Sequence, residues 1–99
     1  MSVAYQTTFS IPPTHPALPG HFPGYPLVPG VVLLEQVALA LRAWRDQRLQ
    51  RVAEAKFVAP LFPGELAELT LSDAGARARF EIRRGSELLA RGLIEGAGA

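Results

Sequence analysis

The segment Gly20-His21-Phe22-Pro23-Gly24-Tyr25-Pro26-Leu27-Val28-Pro29-Gly30 constrains this chain more than any other stretch. Pro23, Pro26 and Pro29 each fix φ and remove a backbone donor, while Gly20, Gly24 and Gly30 open conformations closed to other residues, so no regular element runs through it before residue 30. Past Gly30 the breakers stop. Leu33, Leu34, Val37, Ala38, Leu41 and Trp44 then recur at three- and four-residue spacing, which predicts a helix over residues 31–49. Its first turns are apolar apart from Glu35 and Gln36, which implies burial on most sides, as when a sheet wraps around a helix. Arg42, Arg45, Asp46, Arg48 and Arg51 make the second half polar, so the far end is expected to emerge into water. The segment therefore carries one ionisable group, His21, and the helix it feeds carries another, Glu35.

Strands are predicted on either side. Residues 3–11 are rich in Val, Tyr, Thr, Phe and Ile and stop at Pro12-Pro13. The stretch 12–30 is then long for a connection in so small a domain, and a loop of that length is usually functional. Four more strands are expected at 52–58, 66–72, 76–84 and 88–95, punctuated by residues 60–64, by Asp73-Ala74-Gly75 and by Gly85-Ser86. Residues 76–83 alternate apolar and charged with period two, so one sheet face is buried and the other wet. Residues 96–99 read as a frayed tail. The pattern amounts to an α+β domain over residues 1–99, with one helix against an antiparallel sheet.

Composition narrows the function classes. With 99 residues, an isolated chain buries only about 60–65% of its unfolded surface, so a partner subunit is expected. Apolar residues at 48% and charged residues at 19% argue against long disorder. The absence of cysteine removes disulfides, a thiol nucleophile and a cysteine-based metal site. A net charge of +1 with no aromatic platform is a poor fit to nucleic acid. Neither a signal-like N-terminus nor an apolar run long enough for a membrane span is present, so the expectation is a cytoplasmic protein without membrane insertion.

Two ionisable residues stand out, each with an ordinary reading beside the chemical one. A histidine is the commonest general base, yet His21 taken alone is more often a structural or incidental residue, and His15 in Thr14-His15-Pro16 is read as a loop residue. Glu35 is surrounded by Val31, Val32, Leu34, Val37, Ala38 and Leu39, where a carboxylate is rarely buried without a partner. Its ordinary reading is a helix N-terminal charge, an effect of roughly 0.3–1 kcal/mol that fades beyond the first turn.

His21-Phe22-Pro23-Gly24, then Pro26-Leu27-Val28-Pro29-Gly30-Val31, then Glu35 fourteen positions after the histidine, resembles the active-site signature of the 3-hydroxyacyl-[acyl carrier protein] dehydratases of the hotdog fold. A second patch, Ala55-Lys56-Phe57-Val58-Ala59-Pro60-Leu61-Phe62-Pro63-Gly64-Glu65, resembles the same family's Lys-Phe strand and Pro-Gly-Asp turn. Together the patches cover about a quarter of the chain in the family's order, far more specific than either tetrapeptide. The resemblance implies a hotdog fold, an antiparallel sheet of five strands wrapped around one central helix. It also implies dehydration of 3-hydroxyacyl thioesters to trans-2-enoyl thioesters, in fatty-acid, polyene, pigment or polyketide biosynthesis, with no metal and no redox cofactor.

Under that resemblance His21 takes the C2 proton, and Glu35, in its protonated form or through a water, serves the departing C3 hydroxyl. The Gly30 amide at the helix start becomes an oxyanion donor for the thioester carbonyl. Phe22, Tyr25, Leu27, Phe57 and Phe62 become candidates for lining the acyl or pantetheine channel. His21 and Glu35 of one site are implied to come from different protomers of a homodimer or higher homo-oligomer. The glutamate, where related dehydratase-isomerases carry Asp, favours dehydration without isomerisation. Leu39 stands where the family usually has Gln. Arg42, Arg45, Arg48, Arg51 and Lys56 are candidates for docking an acidic acyl carrier protein, against the plain reading of a solvated helix end with cations near its C-terminal dipole. Two alternatives stay open: a hotdog acyl thioesterase, and a non-catalytic hotdog module that binds carrier protein.

Overall fold

A computed structural model describes residues 5–16 and 27–98, in which one helix and five strands follow the order β1 (Tyr5–Phe9), α1 (Gly30–Arg45), β2 (Gln47–Phe57), β3 (Ala67–Ala74), β4 (Arg77–Arg84) and β5 (Glu87–Gly98). All neighbouring strands are antiparallel, in the spatial order β1-β3-β4-β5-β2. This is the hotdog arrangement of one helix laid against a five-stranded sheet.

Alternation decides which face of the sheet meets the helix. Ala67, Leu69 and Leu71 of β3, Ala78, Phe80 and Ile82 of β4, and Ala90 and Ile94 of β5 point inward and are buried, whereas Arg77, Arg79 and Arg91 face water. The helix answers with Leu33, Val37, Ala40 and Leu41, spaced to form one stripe. Both β3–β4 and β4–β5 turn through two residues, Gly75-Ala76 and Gly85-Ser86. In each the glycine comes first with positive φ, +69° and +61°, as a type II′ turn needs.

Several boundaries differ from the sequence reading. The helix ends at Arg45 rather than running to residue 49, because Asp46 adopts the left-handed conformation (φ 54°, ψ 41°) and its amide closes the last turn on the Arg42 carbonyl at 3.0 Å. Gln47 to Leu49 then open β2, so that Arg48 and Arg51 belong to a strand and not to the helix. Residues 96–98 are no frayed tail: Gly96 pairs with Leu49 and Gly98 with Gln47. The helix is also not enclosed on most sides. Val31 and Leu39 are 63% and 64% exposed, one turn on either side of the exposed Glu35.

Phe80 is fully buried, and its register partner on β5 is Gly92. A Cβ at position 92 would stand 2.1 Å from the Glu54 carbonyl oxygen and 2.6 Å from the Phe80 ring, so the absence of a side chain lets β2 close on β5 beneath that ring. Because one of those atoms is backbone, Gly92→Ala is expected to lower the unfolding free energy by about 3 kcal/mol or more, the upper end of overpacking changes, as read from urea denaturation.

Candidate active site

The chain enters the helix under tight backbone control. The Val28 amide donates to the Leu61 carbonyl at 2.9 Å, which ties the residue before Pro29 to the β2–β3 connection. Pro29 is the N-cap, with extended backbone (φ −62°, ψ 149°) and no side-chain cap. Its carbonyl accepts from Val32 at 2.9 Å and from Leu33 at 3.3 Å. The Gly30 and Val31 amides precede the first intrahelical donors and find no partner among the described residues. No acidic residue lies in the first turn, so nothing on the helix itself competes for this positive end.

A largely apolar cleft of about 380 Å³ opens at this helix start, lined by Leu27, Val28, Gly30 and Leu33 on one side and by residues 57–61 on the other. Phe57, 47% exposed, brings its ring tip to Gly30, where a Cβ would stand 3.0 Å from Cζ. A glycine therefore keeps the amide end of the helix accessible beside the ring. Of the channel candidates, Leu27 and Phe57 line the cleft; Phe62 does not, and uses its amide to hold the Glu65 carboxylate at 2.9 Å. His21, Phe22 and Tyr25 lie outside the described residues. The sequence reading missed Val28, Leu33 and Leu61 as cleft residues. The Lys56-Phe57 patch with its Pro63-Gly64 turn is the signal that could have drawn attention to the β2–β3 connection.

Glu35 is not in this cleft. At roughly 100° per residue it sits about 140° around the helix from Gly30 and about 160° from Leu33. It is exposed on the flank it shares with Val31 and Leu39. Within one protomer the helix thus presents its amide end and its carboxylate to different surroundings.

The basic candidates divide by position. Arg42 pairs with Asp46 at 3.3 Å, and Arg45 pairs with Asp73 while its guanidinium lies 4.0 Å from the Trp44 ring centre. Both occupy the last turn of α1, with Arg45 about 22 Å along the axis from Gly30 at 1.5 Å per residue. Arg48, Arg51 and Lys56 are exposed along β2, which runs back toward the cleft and ends at Phe57. Among the described residues no group of three or more His, Asp and Glu side chains could hold a metal ion, and no helix is long and apolar enough to cross a membrane.

Residues 2–92 match the profile of the ApeI-like family, described as ApeI dehydratase. The chain belongs to this family. This ApeI-like chain is similar to the 3-hydroxyacyl-[acyl-carrier-protein] dehydratase FabZ of Campylobacter hominis, 33% identical over 82 residues, 71% of this chain and 57% of that protein. It is likewise similar to FabZ of Chlamydia trachomatis serovar L2, 35% identical over 109 residues, 94% of this chain and 70% of that protein. It thus spans little more than half the length of the first of these relatives. Its fold is similar to that in the structure of the dehydratase heterocomplex ApeI:P from Xenorhabdus doucetiae, with TM-score 0.76 and 23% identity over 93% of this chain and 85% of that one.

The clearest electrostatic perturbation lies beside the cleft wall. The Phe62 amide, and after it the Arg84 guanidinium, hold the Glu65 carboxyl below its usual 4.5 against the opposing effect of desolvation. A depressed carboxyl contributes stability above its unfolded-state pKa and loses it as pH falls through the lower folded-state value. Arg84→Met is expected to raise the Glu65 midpoint only part of the way, because the Phe62 amide is the larger cause. Carboxyl carbon shifts followed by NMR below pH 5 check this.

Proposed function

We propose that this chain, acting as one hotdog dehydratase-like domain, removes water from 3-hydroxyacyl groups carried on acyl carrier protein, giving trans-2-enoyl thioesters. What supports the reading most is the uncapped helix start at Gly30 opening on an apolar cleft, with Glu35 on the same helix and the His21-Phe22-Pro23-Gly24 motif just upstream. Membership of a dehydratase family and similarity to FabZ proteins agree with it.

The chemistry follows from what each group can do. The Gly30 and Val31 amides donate to the thioester carbonyl oxygen and stabilise the negative charge that develops there. His21 takes the C2 proton, the C3–oxygen bond breaks as the C2–C3 double bond forms, and the departing hydroxyl receives a proton from Glu35, directly or through a water. The leaving species is water, and no metal or redox step enters. Leu27 and Phe57 flank the acyl or pantetheine portion, joined by Phe22 and Tyr25.

A second subunit completes this site. The Val31–Glu35–Leu39 flank leaves apolar surface uncovered, and among the described residues β2 is an edge strand paired with β5 alone. A second copy laid over this flank shields Glu35 from bulk water. It also supplies the divergence between the Gly30 cleft and Glu35 with a reason: each site takes its acid from the neighbouring chain. Leu39, in place of the family's usual Gln, adds apolar contact to that flank.

For the carrier protein, Lys56 is the best positioned of the basic candidates. It precedes the cleft residue Phe57 and sits opposite Arg91 in the β2–β5 register, on the outer face of the sheet. Neither cation has an ion-pair partner among the described residues, since Glu81, opposite Arg91 on β4, is engaged by Arg83 at 3.2 Å. Like charges directly opposed are unfavourable until an anion answers them. Arg51 extends the strip, whereas Arg42, Arg45 and Arg48 are remote from the cleft.

Purified protein is to be incubated with a 3-hydroxyacyl thioester while enoyl absorbance and free thiol are followed. Enoyl formation is expected; thiol release instead would support a thioesterase, and neither product a binding module. His21→Ala and Glu35→Gln are each expected to abolish turnover while sedimentation still reports a dimer; near-normal turnover in either variant would remove its assigned role. A wild-type chain that sediments as a monomer and is inactive alone would point instead to a different hotdog subunit as partner. In the carrier arm, Lys56→Glu is expected to raise KM about tenfold for carrier-borne substrate and to leave a pantetheine thioester unaffected, with Arg42→Glu changing less.

A further inference from the structure

Arg84 ends β4 and does not itself line the cleft, yet it gathers the connection that forms the cleft wall. Its Nη1 donates to the Pro60 carbonyl at 3.0 Å and to Glu65 Oε1 at 2.8 Å, and its Nη2 donates to Glu87 Oε1 at 2.5 Å. Glu65 Oε1 also accepts the Phe62 amide at 2.9 Å. One guanidinium and one carboxylate thus hold residues 60, 62 and 65 of the same turn. A planar guanidinium can serve several acceptors at once in a fixed geometry, which an ammonium cannot.

What this turn carries gives the network its consequence. Leu61, between Pro60 and Phe62, is 1% exposed, and its carbonyl accepts the Val28 amide that sets the entry to α1. Upstream, the Val58 and Ala59 amides both reach the Leu89 carbonyl, at 2.8 and 3.2 Å, and downstream the Gly64 amide reaches the Ile11 carbonyl at 2.9 Å. Those bonds fix the ends of the turn. Its middle is held to the sheet by Arg84, because Pro60 has no amide to donate. From Arg84 to Gly30 the path runs through Pro60 and Leu61, across one backbone hydrogen bond to Val28, and along the chain through Pro29.

We infer that Arg84 is a positioning residue: with Glu65 it clamps the Pro60–Glu65 turn, and through the Leu61–Val28 bond it sets where the Gly30 amide stands relative to the opposite cleft wall. It touches no substrate. Misplacing a positioned group by about 1 Å costs on the order of a hundredfold in rate, so a surface ion pair of little worth to stability can matter greatly to turnover.

Glu87 provides the control. It pairs with the same guanidinium across the β4–β5 turn but holds nothing of the cleft wall. Glu65→Gln and Arg84→Met are expected to speed hydrogen exchange at the Val28 amide by about tenfold or more, with Glu87→Gln within about twofold of the parent. This readout needs no catalysis, whereas the kinetic arm rests on the dehydratase reading. There Arg84→Met and Arg84→Lys are expected to lower kcat about ten- to a hundredfold with KM for a pantetheine thioester nearly unchanged, and Glu87→Gln to leave both alone. Equal effects of Glu65→Gln and Glu87→Gln, or unchanged Val28 exchange in a folded Glu65→Gln protein, would overturn the inference. An inactive parent protein with the expected exchange pattern would sink the functional reading and leave the clamp standing.

Discussion

A single five-stranded sheet can cover only one flank of a helix, and the rest of the structure depends on that geometric limit. Leu33, Val37, Ala40 and Leu41 take the covered flank, against the inward rows of β3, β4 and β5. Val31, Glu35 and Leu39 are left exposed on the other. Nothing among the described residues is laid over them. The same limit explains why a carboxylate can stand on so apolar a helix: in the isolated protomer it remains in water, where it costs little.

The cleft arises from a different constraint. An α-helix leaves its first amides without partners, and most helices spend a Ser, Thr, Asp or Asn side chain on them. Here Pro29 occupies the cap position and contributes only its carbonyl, while Gly30 puts no side chain before the amides. The Leu61–Val28 bond then holds the helix start against the β2–β3 connection, and Phe57 leans on Gly30 from the end of β2. An anion-seeking helix end beside an apolar wall suits a group with a polar carbonyl and an apolar chain, as an acyl thioester has.

Much of this is legible in the sequence. Proline and glycine spacing marked where α1 begins, and the Gly75 and Gly85 turns located both hairpins, because these residues act through backbone sterics that no distant contact can undo. The alternation over residues 76–83 gave β4 its buried row for a similar reason, since a strand has only two faces. The helix end was misjudged: Arg48 and Arg51 suit an exposed helix as well as an edge strand, and Asp46 gives no sign in sequence that it will turn left-handed. Residues 96–98 looked like a tail because glycine and alanine carry no pattern, yet they are paired by the strand opposite.

The sequence by itself determined the local punctuation, the inward stripe of each element and the order of the residue types that carry the chemistry, because these follow from steric limits and periodicities that act within a few residues. Only the tertiary structure decided that Phe80 sits over Gly92, that Arg84 reaches across to the cleft wall and that Glu35 turns away from the cleft Gly30 opens. Those are consequences of register and of the angle at which a helix crosses a sheet, and both are set by packing between segments that lie far apart in the chain.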